Sequence, residues 1–232
     1  MTPSKIKKIL AVGSIHMNVF CDEAGVQYEP GGESFNFAIT MTRSRIHVRL
    51  ITAMRRGGIN RMLKQAIEIA GIEPWITWNE SLPQGGHFLF SSNGKTDYAF
   101  SSTPIDRVSF ESGILDRGFK DASLIYLDCN LGGKTLRELS KNAFGAGLPL
   151  ILMSTDEQKT HRIFDVLPYA DLVFLSMQEW EAFVSPPITA EIADSSYRTL
   201  FIRYSETGKL DVLRLSGEVV NTIPVPTDVP EI

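Results

Sequence analysis

Only two cysteines, Cys21 and Cys129, occur in the 232 residues, far apart and in no metal-ligand spacing. A disulfide-stapled scaffold and a zinc module are thereby excluded, and reduced thiols in the cytoplasm are the expectation. No apolar run approaches the roughly 20 residues that cross a bilayer. The run behind Lys5, Lys7 and Lys8, residues 9–12, is too short for a secretion signal. An excess of positive charge is missing as well: 23 Lys and Arg stand against 27 Asp and Glu, a net charge of −4. Nucleic acid and anionic membrane surfaces therefore drop out as partners. The one basic cluster, Arg43, Arg45, Arg49, Arg55 and Arg56, is interrupted by apolar residues and reads as a solvated face. No Gly-x-Ser-x-Gly elbow surrounds a serine, and neither HxxxH nor CxxC occurs, so neither a serine hydrolase nor a helical metal site announces itself. Internal repeats and low-complexity segments are also lacking.

What is present centres on residues 29–46. Pro30, Gly31 and Gly32 break the preceding segment, and paired glycines let a backbone come close to a bound molecule, or else form a plain turn before a buried helix. Phe35, Ala38, Ile39 and Thr42 then recur at helical spacing, which predicts a helix opening directly behind the glycines. Such a start offers unpaired N–H groups to a polar ligand, and Asn36 on the first turn adds a donor and an acceptor.

Along the chain, 8–13 and 48–54 read as buried strands, and 59–70 as a helix stopped by Gly71. Residues 72–78 read as a strand; 86–90 and 96–100 read as a hairpin around Asn93-Gly94. From 123 onward strand and helix alternate: strands 123–128, 148–153 and 171–175, helices 135–144, 156–167 and 177–184. Asp156 is a candidate N-cap, and Pro186-Pro187 closes the last helix. Short strands at 200–204, 210–215 and 219–223 complete the series. With 43% apolar residues the chain can bury a core, and the alternation predicts a single α/β domain over 1–232, a doubly wound and mostly parallel sheet flanked by helices. Ligands of such sheets lie beyond the carboxyl ends of the strands. That gathers 13–18, 31–36, 55–60, 128–130 and 176–179 around one crevice. Residues of about 19–28 and 75–101 fit no βαβ unit and are expected to form a β lid over it. Trp75, Trp78, Phe88, Phe90, Tyr98 and Phe100 fall in that lid; they suit a ligand face, a lid-to-lid dimer or a small local core.

These residues resemble the ribokinase-like (PfkB) family of sugar and nucleoside kinases. Gly13-Ser14-Ile15-His16-Met17-Asn18 resembles its opening Gly-Ser-x-x-x-Asp segment, and Gly31-Gly32 with Asn36 its Gly-Gly-x-x-x-Asn substrate loop. Tyr126-Leu127-Asp128-Cys129-Asn130 and Ser176-Met177-Gln178-Glu179 fall where the family has its fourth-strand segment and its Asn-x-x-Glu motif. The Asp-Cys-Asn stretch leans toward the pseudouridine-kinase-like branch. The resemblance implies an acceptor alcohol, a sugar or nucleoside, held near Asn18, Gly31, Gly32, Asn36 and Asp128. It implies ATP and Mg²⁺ near Ser176, Glu179 and Arg203, with Glu179 serving the metal. The family's reaction passes a γ-phosphoryl group to a hydroxyl, using an aspartate base and backbone N–H groups on the developing charge.

The departures from the family fall on the chemistry. No Gly-Ala-Gly-Asp, the segment that supplies base and anion hole, follows Val225-Pro226 or occurs elsewhere; Gly145-Ala146-Gly147 is followed by Leu148 and reads as a helix stop. The chain therefore reads as truncated relative to the family. Asn18 stands where the resemblance expects a substrate-binding aspartate, Arg55-Arg56-Gly57 where it expects an acidic turn, and Asn60 where it expects a glycine. Ser176 replaces the asparagine of Asn-x-x-Glu, and Arg203-Tyr204-Ser205 replaces Thr-x-Gly. Asp128 and His16 are the remaining candidate bases; an aspartate there is as often a loop or cap residue, and a lone histidine after a strand is more often a structural group. One lost electrostatic donor alone lowers a rate on the order of 10²–10³. The expectation is a degenerate kinase homologue that retains at most small-molecule binding, with no catalytic residue assigned. The alternative is an active ATP-dependent kinase completed by a partner or a longer product, and a third reading is a homodimer through the lid.

Overall fold

The computed structural model describes residues 7–92, 95–185, 199–204 and 209–224. The strands are β1 (Lys8–Val12), β2 (His16–Asp22), β3 (Gly25–Gly31), β4 (His47–Met54), β5 (Glu73–Trp78), β6 (Gly86–Ser92), β7 (Lys95–Ser102), β8 (Leu124–Asp128), β9 (Leu150–Met153), β10 (Leu172–Leu175), β11 (Leu200–Tyr204), β12 (Lys209–Leu213) and β13 (Val219–Pro224). The helices are α1 (Glu33–Arg43), α2 (Gly58–Ile69), α3 (Ser112–Asp121), α4 (Gly133–Gly145), α5 (His161–Phe164) and α6 (Met177–Val184).

Nine strands form one sheet in the order β13-β12-β11-β10-β9-β8-β1-β4-β5. All pairings from β5 to β11 are parallel, and β12 and β13 add antiparallel strands at one end. The central strand explains itself. Four consecutive apolar residues, Ile9 to Val12, are buried because both faces of the strand are covered. Leu10 and Val12 join the core that includes Leu136 and Leu139 of α4, whereas Ile9 and Ala11 join the one that includes Phe35 and Ala38 of α1. The chain winds outward from β1 in both directions, so the strand order reverses between β1 and β8. Ligand crevices form at such a reversal.

A second sheet, β3-β2-β6-β7, stands over that crevice as the lid. Met17 and Val19 of β2 turn into the core with Phe88 packed beside them. His16 and Asn18 alternate to the other face, as strand periodicity requires.

Three expectations need correction. First, β5 belongs to the main sheet, paired with β4, so Trp75 and Trp78 are not lid residues; the lid spans 16–31 and 86–102. Trp75 lies under the Arg49 guanidinium at 3.8 Å, and Pro74 is tolerated because the strand is an edge. Second, the helix expected over 156–167 splits into a 3-10 turn, Glu157–Lys159, and the short α5. Asp156 does cap that turn, accepting from Gln158 N at 2.8 Å, but Thr160 Oγ1 donates back to Glu157 O, competing with helical continuation. Third, α3 was missed. Its face is marked by Ile114 and Leu115, and a Cβ on Gly118 would lie 3.0 Å from Leu10 of β1. The Asn93-Gly94 turn, Pro186-Pro187, Ser205 and the tail over 225–232 lie outside the described residues. Among the described residues, no helix is long and apolar enough to cross a membrane.

Candidate functional site

The floor of the crevice is built where β1 and β8 end. Asp128, at the carboxyl end of β8, is fully buried. Its Oδ2 accepts from Ser14 N at 2.7 Å, Ser14 Oγ at 2.9 Å and Ser34 Oγ at 2.7 Å, and its Oδ1 from Asn130 N at 3.0 Å. A Cβ at Gly13 would sit 2.3 Å from Asp128 Oδ2, so the turn after β1 closes only with glycine. Burial raises the Asp128 carboxyl above its ordinary range, although all four donors pull it down. This corrects the expectation for Asp128. It ties β1, α1 and β8 together beneath the floor and does not line the crevice.

Above that floor is a crevice of about 240 Å³. Asn18, Gly32 and Asn36, all expected from sequence, line it; so do His16, Glu33, His87, Asn130, Thr155 and Lys159. Gly31 does not. A Cβ there would meet Asn18 Nδ2 at 2.4 Å, so the glycine exists to let the Asn18 side chain lie across the strand. Gly32 has φ 111°, and a Cβ there would meet Ser14 O at 2.7 Å. The glycine pair therefore answers a close approach of two chain segments, and only its second member also borders the ligand space.

Polar groups converge in this space under different constraints. Glu33, the first residue of α1, accepts on Oε2 from Asn130 Nδ2 at 3.1 Å, with Ser14 Oγ, committed to Asp128, 3.2 Å away. Burial and the nearby Asp128 push its carboxyl up. Lys159 donates to Asn130 Oδ1 at 2.6 Å, joined by Thr155 Oγ1 at 3.3 Å, which fixes the orientation of that amide. His16 lies 6.3 Å from His87, centroid to centroid, and its buried Nδ1 has no partner. Burial, then the charges of His87 and Lys159, lower the His16 pKa to about 4 against a hydrogen bond that the protonated ring would donate to Asn18, so the ring is neutral at pH 7. His87 pairs with Ser101 on β7.

A second, more open crevice of about 430 Å³ adjoins the first, sharing Thr155 and Asp156, and is lined further by Glu157, Gln158, Ser176, Gln178 and Glu179. Ser176 and Glu179 are placed there as the sequence suggested, but each holds the other. Ser176 Oγ accepts from Glu179 N at 3.2 Å and Glu179 Oε2 accepts from Ser176 N at 2.6 Å, a capping box on α6. Among the described residues no three His, Cys, Asp or Glu side chains converge. One Glu179 oxygen, Oε2, is engaged at its own helix start. Arg203 needs a firmer correction. Its Nη2 donates to Asp211 at 3.1 Å across the β11–β12 ladder, its guanidinium lies 6.0 Å from the Trp180 ring, and it borders neither crevice.

Arg56 is likewise engaged, with Glu80 at 3.3 Å and over Trp78 at 5.4 Å. Asn60, buried at the start of α2, exchanges two hydrogen bonds with Gln84 just before the lid strand β6. The lining residues that sequence reasoning did not single out are Glu33, although 31–36 was gathered at the crevice, and His87, Ser101, Thr103, Thr155 and Lys159. Glu33 was within reach, since it lies between Gly32 and Asn36 at the helix start. His87 becomes a neighbour of Asn18 only through the β2–β6 register, and Lys159 only because the helix around it breaks.

The fold is shared with solved kinases. Ribokinase from Giardia lamblia superposes with a TM-score of 0.80 at 12% identity, over 97% of this chain and 78% of that one. A carbohydrate kinase from Agrobacterium tumefaciens gives 0.76 at 18% identity, over 90% and 73% of the two chains. Fructokinase with bound ATP from Xylella fastidiosa gives 0.76 at 15% identity, over 95% and 78%. No curated protein sequence matches significantly. The model of the pfkB family carbohydrate kinases matches residues 7–202, nearly the whole described fold, and with the winding order and the lid over the strand ends it establishes that this chain belongs to the PfkB family.

Proposed function

We propose that this chain binds a small polyhydroxylated molecule, a sugar or nucleoside, in the crevice under β2 and β6, and on its own transfers little or no phosphate. The observation that carries this reading is the state of Asp128. The one acid at the end of a central strand is saturated by four donors beneath the floor, so it is not placed to take a proton from a substrate hydroxyl. The acceptor side, by contrast, keeps Asn18, Asn36, Glu33 and Asn130 lining one polar crevice. On the donor side Ser176 and Glu179 cap each other and Arg203 holds Asp211. Calorimetry with a panel of sugars and nucleosides, then with ATP and Mg²⁺, tests the proposal. Saturable heat is expected from the panel, and phosphorylated product at ordinary turnover from the purified chain refutes it.

A second reading is an active ATP-dependent kinase whose chemistry is completed by a partner or a longer product. It is favoured by the adjoining of the two crevices at Thr155 and Asp156, the layout an acceptor and a phosphoryl donor require. Turnover by the longest native product, absent from this chain alone, selects it. Self-association through the lid is a further part of the proposal. Tyr28, Val19, Phe88 and Phe100 form one row across its four strands, with Tyr28 and Phe100 exposed. Light scattering that shows a clean monomer at micromolar concentration counts against it.

A further inference from the structure

The crevice holds one feature that its packing does not require. Among its lining residues only Glu33 and Asp156 carry a carboxylate, and Asp156 gives its Oδ1 to Gln158 N in the turn that it caps. Glu33 is different. It is largely withdrawn from water close to a second acid, Asp128, an arrangement that opposes its own ionisation. The floor itself is already secured by Asp128. The surroundings nevertheless orient the Glu33 carboxylate. Asn130 Nδ2 donates to Oε2 at 3.1 Å and is itself set by Lys159 at 2.6 Å, while Ser14 Oγ, whose one proton goes to Asp128, stands 3.2 Å from the same oxygen. The helix N-terminus supplies a favourable dipole. A carboxylate oriented from one side, in a pocket otherwise lined by the amides of Asn18, Asn36 and Asn130, is an acceptor waiting for donors. The cationic groups nearby do not ask for an anion. Lys159 is engaged with Asn130, and the His16 ring is uncharged at neutral pH.

We propose that Glu33 is the specificity residue of this crevice, accepting hydrogen bonds from two adjacent hydroxyls of an uncharged polyol, with Asn130 positioning its carboxylate. The inference rests on the reading of the crevice as a sugar or nucleoside site and adds to it the residue that recognises the vicinal diol. Removal of one hydroxyl from the ligand, or of the charge from Glu33, then removes the same interaction. Hydrogen bonds to a charged group are strong enough that either change weakens binding about tenfold or more.

The experiment is a two-way comparison by calorimetry. D-ribose and 2-deoxy-D-ribose, and uridine and 2′-deoxyuridine, are titrated into the native chain and into Glu33→Gln. The native chain is expected to prefer each diol about tenfold or more, and Glu33→Gln to lose that preference while binding the deoxy compounds within about twofold of native. An intact preference in Glu33→Gln overturns the inference alone. Failure of both pairs to bind the native chain overturns the inference alone if another sugar or nucleoside of the panel binds, and overturns it together with the reading on which it rests if none does. Should Glu33→Gln melt prematurely, carbon-13 spectroscopy of the native chain replaces it. Saturating ribose is expected to shift the Glu33 carboxyl carbon while 2-deoxyribose does not, and an unmoved resonance refutes the assignment.

Discussion

Replacement of Asp128 separates a structural role from a chemical one. The carboxylate collects two backbone N–H groups and two hydroxyls, with no water-facing surface. In Asp128→Ala the hydroxyls of Ser14 and Ser34 can turn elsewhere, but the Ser14 and Asn130 N–H groups cannot. Each buried, unsatisfied donor costs about 1–3 kcal/mol, and truncating a buried charged group within its network typically costs about 3–5 kcal/mol. Against a total stability of roughly 5–15 kcal/mol this is a large fraction. In Asp128→Asn, the amide oxygen can keep the three donors on the Oδ2 side, leaving the new NH₂ against Asn130 N. One lost acceptor costs about 1–3 kcal/mol, partly offset because a charge no longer has to be buried. The order alanine, asparagine, native should therefore appear in urea midpoints at pH 7, with unchanged slopes. Binding of whichever sugar or nucleoside the native chain takes should stay within about threefold in Asp128→Asn. A stability loss under about 1 kcal/mol in Asp128→Ala, or loss of ligand binding in a folded Asp128→Asn, refutes the argument.

Three further outcomes follow from other sites. His16 has a pKa of about 4 in the fold against 6.5 as a free side chain, so the unfolded chain takes its proton first and stability should fall as pH drops from about 6.5 to 4. Urea midpoints of His16→Gln should lack that share of the decline, and identical pH profiles for the two proteins would falsify the burial argument. Glu73 feels burial that raises its carboxyl, but hydrogen bonds from Arg49 and His47 and the charges of Arg49 and Lys8 outweigh it and hold the pKa to about 2. Its contribution is present above about 4.5 and lost as pH falls toward 2, so acid unfolding of Glu73→Gln should start from a lower stability and be less steep. Arg203→Met should lower stability by about 1–3 kcal/mol, because Asp211 keeps only the Thr222 hydroxyl, yet leave the calorimetric response to ATP and Mg²⁺ unchanged. A changed nucleotide response would return Arg203 to the site.

The main sheet was legible because its strands are short apolar runs between helices with clear stops, and period alone decides such segments. Legibility failed where a tertiary partner overruled the local pattern. The Trp75–Trp78 segment is aromatic enough for a lid, but only pairing with β4 and the Arg49 stack show that it closes the main sheet. The turn at Asp156–Thr160 is helical by composition, and side-chain hydrogen bonds to the backbone break it. The motif positions themselves were found at the right strand ends. What spacing cannot show is commitment: whether a polar side chain at the correct place faces a ligand or its own fold. Asp128 and Arg203 were both sited by order along the chain, and both turn out to be bound by neighbours that no spacing reveals.

That distinction also orders the two crevices. Polar groups that serve a ligand are held at some cost to the fold, unpaired or in an unfavourable charge state until the ligand arrives. On the acceptor side His16 keeps a buried Nδ1 without a partner, and Glu33 carries a carboxyl pushed up by burial beside Asp128. On the donor side Ser176 and Glu179 satisfy each other at the start of α6, and the arginine pair ahead of α2 includes Arg56, which rests on Glu80 and Trp78. The same contrast gives the two halves different responses to mutation. Substitution at the α6 cap should lower stability and leave sugar or nucleoside binding intact, whereas substitution at Glu33 should lower binding and leave stability equal or higher, because a strained carboxyl is removed from the interior.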